Sequence, residues 1–260
     1  MQRIHVVGVS PRSGTTLLAE CMITCFEIDA FEKHESPICA HRRDVAVYLT
    51  KKPDDIHVVG PRLRIDRNLH VIALMRDPRD IVVSKHHQDP DVYWAPLRIW
   101  KSRIGIVRRL SHQKRFMLIR YEDLVREPDA VQESLTVRMP FLEKKAPFSA
   151  FHALATPSRK SLDALGGLRA INPESIGNWR NHLPRLKGQI SIHGSISEDL
   201  IEFGYEQNTA WLSLLESVEP DLSPSHWREQ FQLPAWKYRR VKYAEAARIA
   251  VLRLFGIDEG

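Results

Sequence analysis

Residues 4–9, IHVVGV, form a short β-branched run that stops at Ser10-Pro11, and the following TTLLAECMITCF switches to helical spacing. The pattern predicts strand, tight loop, helix. Further apolar runs at 55–60 (DIHVVG), at 70–76 (HVIALMR) and within RFMLIRYEDL, ending near Tyr121, read as a second, third and fourth strand. Between the last two, Pro78 marks a helix start in DPRDIVVSKHH, and residues 95–110 read as a longer helix. Continuous apolar strands alternating with helices predict an α/β fold: a three-layer sandwich whose central parallel sheet is covered on both faces.

The signal weakens over residues 140–194, where prolines, glycines and basic residues interrupt helical pieces. Loops of this kind often close a site over a parallel sheet. SEDLIEFGYEQ (197–207) reads as the last helix of the core, 220–234 as a linker, and 235–257 as an amphipathic helix with Trp236, Val241, Ala244, Ile249, Leu252 and Phe255 on its apolar side. The expected organisation is a core over 1–210 with a helical extension over 211–260.

With 260 residues the chain is long enough to bury roughly 70–75% of its unfolded surface without staples. A content of 43% hydrophobic and 27% charged residues excludes disordered, collagen-like and coiled-coil classes. The net charge of +6 suits an anionic ligand, an acidic glycan, a nucleic acid or an anionic membrane face. Cys21, Cys25 and Cys39 cannot all pair and form no C-x-x-C pattern, so reduced thiols are expected. No secretory h-region and no run of about 18 apolar residues is present, and the expected location is cytoplasmic.

The chemistry begins in GVSPRSGTTLL. A loop that leaves a strand and opens a helix presents backbone N–H groups, backed by the helix dipole, to phosphate-like oxygens. Gly14 permits close approach, Thr15 and Thr16 add hydroxyls, and Arg12 adds a fixed charge. In the nucleoside-triphosphate P-loop, four residues separate the glycines and Lys follows the second. Here five residues separate Gly8 from Gly14, Thr15 takes the Lys position and the cation precedes the glycine. A plain helix-capping turn is the alternative. Downstream, LMRDPRDIVVS sets Arg76 at a strand end and Ser84 within the following helix, a second possible phosphate site. A solvated ladder of Arg76, Asp77, Arg79 and Asp80 is its competitor. Two anion sites at strand carboxyl ends tip the balance, because open α/β sheets bind ligands along that edge.

PRSGTT and RDPRDIVVS, followed by RYEDL and IGNW, resemble the sulfotransferases that use 3′-phosphoadenosine 5′-phosphosulfate (PAPS), over roughly residues 4–205. The resemblance implies a P-loop-like fold in which Arg12, Ser13, Gly14, Thr15 and Thr16 hold the 5′-phosphosulfate. It further implies that Arg76 and Ser84 hold the 3′-phosphate, that Tyr121 contacts adenine, and that adenosine 3′,5′-bisphosphate (PAP) is released. Arg12, where many small-molecule members carry Lys, is similar to the glycan-modifying branch and to many bacterial members. Two departures stand out: Leu17 replaces a Trp that stacks on adenine, and Asn172-Pro173-Glu174 replaces a basic loop ahead of Gly177-Asn178-Trp179. Arg169, Lys160 or Arg180 is then needed to complete the 3′-phosphate site.

Sulfuryl transfer to an alcohol is in-line, and the protein chiefly positions reactants and neutralises charge on the departing phosphate. Arg12 and the loop amides fit that electrostatic role. The acceptor hydroxyl needs a base. Glu32, His34 and Glu35 in AFEKHESP are the candidates, with Glu32 favoured because IDAFEKH resembles the carboxylate position of the glycan-modifying branch. The remaining histidines lack metal spacing, so no metal is expected. Trp100 reads as core, while Trp94 divides between packing and an acceptor pocket. The basic cluster Lys237, Arg239, Arg240 and Lys242 reads as a solvated helix face, with peripheral contact to anionic lipid as the other use. The expected acceptor is a hydroxyl on a glycan, glycolipid or metabolite, with no nucleic acid as partner. A nucleotide-dependent kinase and a non-enzymatic module binding nucleic acid or an anionic surface remain the alternatives.

Overall fold

We describe a computed structural model of the chain, covering residues 1–42, 44–86 and 89–230 and isolated positions between 237 and 251. The expected tail helix and its basic cluster therefore fall largely outside the described residues. Strand β1 (Gln2–Gly8) is followed by helix α1 (Thr15–Cys25), β2 (Ala30–Phe31), β3 (Val47–Lys51), α2 (Val59–Ile65), β4 (Leu69–Met75) and α3 (Pro78–Val82). A hairpin, β5 (Lys85–His86) and β6 (Asp89–Tyr93), leads to α4 (Leu97–Leu110), β7 (Phe116–Arg120), α5 (Tyr121–Arg126) and α6 (Pro128–Arg138). Short helices α7 (Phe151–Leu154) and α8 (Arg159–Leu165) precede α9 (Leu183–His193) and α10 (Ser197–Glu202).

The main sheet has the order β2-β3-β1-β4-β7 and every pairing in it is parallel. Its strands alternate between two cores, as a pleat buried on both faces requires. Ile4 and Val6 of β1, Leu49 of β3 and Ile72 and Leu74 of β4 pack with α1, α6 and α7 residues such as Leu18, Leu135 and Phe151. Val7, Val71, Ala73 and Met75 face the other way, onto Val59, Trp100, Val107 and Leu186. The three-layer α/β arrangement expected from the apolar runs is the one observed.

Three local expectations change. The run DIHVVG is not a strand: Pro53 opens a 3-10 turn (Pro53–Val58) that runs into α2, and its apolar residues are buried because that turn and helix pack beneath β1 and β4. The strand at this point is the preceding VYLTK, in which only alternate side chains enter the α1 core. Ser84 lies beyond α3, which ends at Val82. Residues 220–230 are no free linker. Asp221 N–H donates to Pro184 O at 2.9 Å, and buried Arg185 donates to Ser225 Oγ at 2.5 Å. The segment lies so close to α9 that a Cβ on Gly188 would overlap the Asp221 carbonyl. Trp211 and Leu215 also join the core of α4 and α9, so residues just beyond 210 share the hydrophobic centre of the sheet domain.

Candidate active site

Parallel strands bring all their following loops to one edge, and the middle strand's loop occupies its centre. That loop is SPRSG. Arg12 adopts φ 66 and Gly14 φ 91, both left-handed, which curls the backbone ahead of α1. Ser13 Oγ, only 1% exposed, donates to Ser10 O at 2.7 Å and closes the curl. Gly14 is obligatory for a second reason: a Cβ there would come within 2.5 Å of the Tyr121 ring. Tyr121 is the first residue of α5, so the end of β7 packs directly over the loop.

Arg76 follows β4. Its guanidinium lies 4.6 Å from the Tyr121 ring centroid and donates to Arg12 O at 3.3 Å and Ser175 O at 2.8 Å. The Tyr121 hydroxyl meets Ser175 Oγ at 2.9 Å. Arg12 Nε donates to Ser84 Oγ at 3.3 Å. Arg12, Gly14, Thr15, Thr16, Arg76 and Tyr121 thus face one cavity of about 400 Å³, closed by residues 164–175 of the α8 region. Burial, and then the nearby Arg76 cation, hold the Arg12 guanidinium below its ordinary value. Arg76 is buried and Arg12 half-buried, and an anion in the cavity would relieve the repulsion between the two cations.

Behind the cavity, the remaining charges of RDPRD are paired rather than solvated. Arg79 makes bonds of 2.7–3.2 Å to both Asp77 oxygens and one of 2.5 Å to Glu206, and lies over Trp179 and Trp211 at 4.2 and 5.0 Å. Asp80 accepts from Gly177 N–H at 2.8 Å and Trp179 N–H at 2.9 Å, which clamps IGNW to α3. Burial and the Asp77 charge push the Asp80 carboxyl up, and the two N–H bonds oppose them. Arg180, a candidate for the 3′-phosphate, does not line the cavity. The clamp and left-handed Gly177 turn it back over Trp179 at 4.4 Å, whereas Arg169 does line the cavity.

The base candidates sit on the opposite flank, after β2. Glu32 Oε1 accepts from Tyr48 Oη at 2.7 Å and lies 3.5 Å from Arg42 Nε. Tyr48 packs with Ala30 and Ala40, on the face of β3 away from α1. Glu35 and His34 are exposed. Ser36 N–H donates to Lys51 O at 3.0 Å, which brings the turn carrying Glu35 to the end of β3. Lys51, absent from the sequence reading, donates from Nζ to Thr16 Oγ1 at 2.9 Å. Its signal was its position, at the carboxyl end of a strand beside the anion loop, hidden because the strand itself was misplaced. Trp100 is fully buried, and half-buried Trp94 stacks on His226 at 4.1 Å. Among the described residues, no group of three or more His, Cys, Asp or Glu side chains could hold a metal, and no helix is long and apolar enough to cross a membrane.

Residues 2–187 match the family model for the sulfotransferase domain. The chain belongs to the sulfotransferase family. It is 31% identical over 149 residues to carbohydrate sulfotransferase 1 of Danio rerio, covering 46% of this chain and 33% of that protein. It is 32% identical over 87 residues to carbohydrate sulfotransferase 4 of Mus musculus, covering 24% and 22% respectively. The chain thus spans a third or less of the length of these curated relatives. Among solved structures, it is similar to the sulfotransferase domain of the Synechococcus PCC 7002 olefin synthase, with TM-score 0.47 and 15% identity over 69% of this chain and 87% of that one.

Proposed function

We propose that this sulfotransferase-family chain moves a sulfuryl group from PAPS to a hydroxyl of a glycan or comparable metabolite, releasing PAP. The observation that carries the reading is the convergence of Arg12 and Arg76, from loops after two different strands, on one cavity with the amides of the α1 N-terminus and the Tyr121 ring. That cavity can hold a nucleotide with an anionic group at each end. The loop side receives the 5′-phosphosulfate, through Arg12, the 13–16 amides and the hydroxyls of Thr15 and Thr16. The Arg76 side receives the 3′-phosphate, with Ser84 held through its bond to Arg12 and with Arg169, rather than Arg180, as the further cation. Tyr121 borders the adenine in place of the missing Trp at position 17.

Bound PAPS supplies the sulfur electrophile. Arg12 and the loop amides take up the charge that develops on the departing phosphate, the place where pre-oriented donors lower a barrier most. A carboxylate after β2 accepts the acceptor's proton. The surroundings favour Glu35 over Glu32 for this task, because Glu32 is held by Tyr48 on the face turned from Thr16 while exposed Glu35 lies near Lys51 at the β3 end. We place His34 third, as an exposed side chain flanked by acids. The carbohydrate sulfotransferases among the relatives support a sugar hydroxyl as acceptor. The buried thiols of Cys21 and Cys25, neither in a disulfide, support a reducing, cytoplasm-like location.

Titration with PAP tests the reading. Saturable micromolar binding that weakens when either phosphate is removed supports it. Preference for ATP with magnesium would replace it with a kinase, and indifference to both nucleotides with steeply salt-sensitive DNA or lipid binding would replace it with an anionic-surface module.

A further inference from the structure

The β5–β6 hairpin pairs over a few residues only, with a register shift at Lys85 and His86. A two-stranded hairpin this short is marginal by itself. Ser84 stands at its entrance, its hydroxyl accepting from Arg12 Nε at 3.3 Å and its carbonyl from Trp94 N–H at 2.8 Å. The segment beyond residue 187, where the family match ends, reaches this corner by two routes. In the first, His226 N–H donates to Tyr93 O at 2.8 Å, Trp227 N–H donates to Trp94 O at 3.2 Å, and the His226 ring stacks on Trp94 at 4.1 Å. The second runs through fully buried Arg185. It donates to Ser223 O and Ser225 Oγ at 2.5 Å and to Val82 O, at the end of α3, at 3.3 Å, and it lies 4.6 Å from the Tyr93 ring centroid. Glu229 knots the two together. It accepts from Ser225 N–H at 2.9 Å, Ser225 Oγ at 2.7 Å and Gln189 Nε2 at 3.1 Å, with His193 Nε2 at 2.7 Å and Arg185 Nη2 at 3.6 Å.

We propose that residues 223–229 form a positioning strap for the donor site, in which Glu229 and Arg185 hold Ser84 at the place where its hydroxyl meets the donor's 3′-phosphate. The inference rests on the PAPS-dependent reading given above. A serine hydroxyl stands one carbon from its backbone, so backbone placement decides its contact, and a displacement of about 1 Å is enough to lose a hydrogen bond. Arg185, Ser225 and Glu229 are not among the residues lining the nucleotide cavity, and they act through Val82, Tyr93 and Trp94. Loosening the strap therefore releases Ser84 without removing any group that faces the nucleotide. The 5′ side of the site, built on the anion loop and α1, stays in place. Charge keeps the knot closed: burial pushes the Glu229 carboxyl up, but the bonds from Ser225, His193 and Gln189 outweigh it and hold the group below its ordinary value.

PAP and adenosine 5′-monophosphate differ by the 3′-phosphate alone, so the pair isolates the Ser84 contact. Both are titrated calorimetrically against the full chain, the Glu229→Ala and Ser84→Ala variants and their combination. Glu229→Ala should weaken PAP about tenfold and leave the monophosphate within about twofold. Ser84→Ala should weaken PAP by a similar factor, the combination should weaken it no further than Ser84→Ala alone, and Glu229→Gln should recover part of the loss. A merely structural role would weaken both nucleotides alike and would add in full to the Ser84→Ala loss; either result overturns the assignment, as does unchanged PAP affinity in Glu229→Ala. A cooperative melting transition shows that a variant is folded, and Ser225→Ala, which removes an acceptor of Arg185 and a donor to Glu229, replaces Glu229→Ala if that transition is lost. Loss of the transition in both would make the segment a requirement of the fold and overturn the positioning role. Unchanged PAP affinity in Ser84→Ala would overturn the strap and leave the donor reading standing, whereas a wild-type chain that binds neither PAP nor PAPS would overturn that reading itself.

Discussion

On the β4–β7 side of the cleft, Arg76, Asp77, Arg79 and Asp80 are all at most 8% exposed; Arg76, Arg79 and Asp80 have partners in the 172–179 loop, the anion loop or the 205–206 region, and Asp77 is bonded by Arg79. On the β2–β3 side, Lys33, His34, Glu35 and Arg42 are exposed, and the buried side-chain bonds of the segment lie at its base. There Asp55 Oδ2 accepts from Ile38 N–H at 2.6 Å, and Arg3 donates to the carbonyls of Ile38 and Ala40. Buried ions must have one geometry, since a displaced partner leaves an uncompensated charge in a poor solvent for it. Exposed acids on a turn carry no such constraint. The β4–β7 flank is therefore held in one geometry, and the β2–β3 flank is anchored at depth and exposed at its tip.

Substitutions sharpen or break this contrast. The largest effects should be kinetic. Glu35→Gln should lower turnover at saturating donor by about 10²–10³-fold with melting temperature unchanged, and full activity there would return the base to Glu32. Arg12→Ala should lower turnover by a similar factor, about 10²–10³-fold, with little change in PAP affinity. Arg76→Ala should mainly weaken PAP, and unchanged kinetics in both arginine variants would refute the site. Asp80→Ala should cost about 3 kcal/mol in a urea titration, because it leaves the Gly177 and Trp179 N–H groups unpaired, and it should loosen the loop beyond the cavity. Stability within experimental error of wild type would show that the donor flank is less tightly built than its bonds imply. Gly14→Ala, forced against the Tyr121 ring at φ 91, should cost about 1–3 kcal/mol and weaken PAP.

The most gradual effect, spread over several pH units, concerns the anchor under the β2–β3 flank. His5 is fully buried, and its imidazole is held at about 3, against an ordinary 6.5, by burial first and then by the Arg3 charge. Below pH 6.5 the unfolded chain takes up a proton that the folded chain refuses. Stability should therefore fall as the pH drops from about 6.5 toward 3, at up to about 1.4 kcal/mol per pH unit from this group. His5→Gln should flatten that part of the profile, and identical slopes in the two proteins would show that His5 is not its source.

Hydrophobic period and loop chemistry made β1, β4, β7, both anion motifs and the α/β class readable along the chain, because each is a local consequence of neighbouring residues. Buried helices defeated the same logic: IHVV in the turn at Pro53–Val58 is as apolar as a strand, and only its packing under the sheet separates the two. Arg76, Tyr121 and the anion loop could be named from their motifs. That Arg180 turns back onto Trp179 while Arg169 enters the cavity could not, since the choice depends on a hydrogen-bond clamp between residues nearly a hundred positions apart.

The order of residues alone determined that this chain carries a glycine-bearing loop with an arginine behind its first strand, a second cationic motif after a later one, and a cluster of acids between them. Tertiary structure decided which of them meet. The parallel sheet set β3 beside β1, and so brought Lys51 to Thr16 across 35 positions of sequence. The strand pleat turned Tyr48, and Glu32 with it, away from the α1 face that carries Lys51. Strand adjacency and face are properties of the assembled sheet, and no local run of residues contains them.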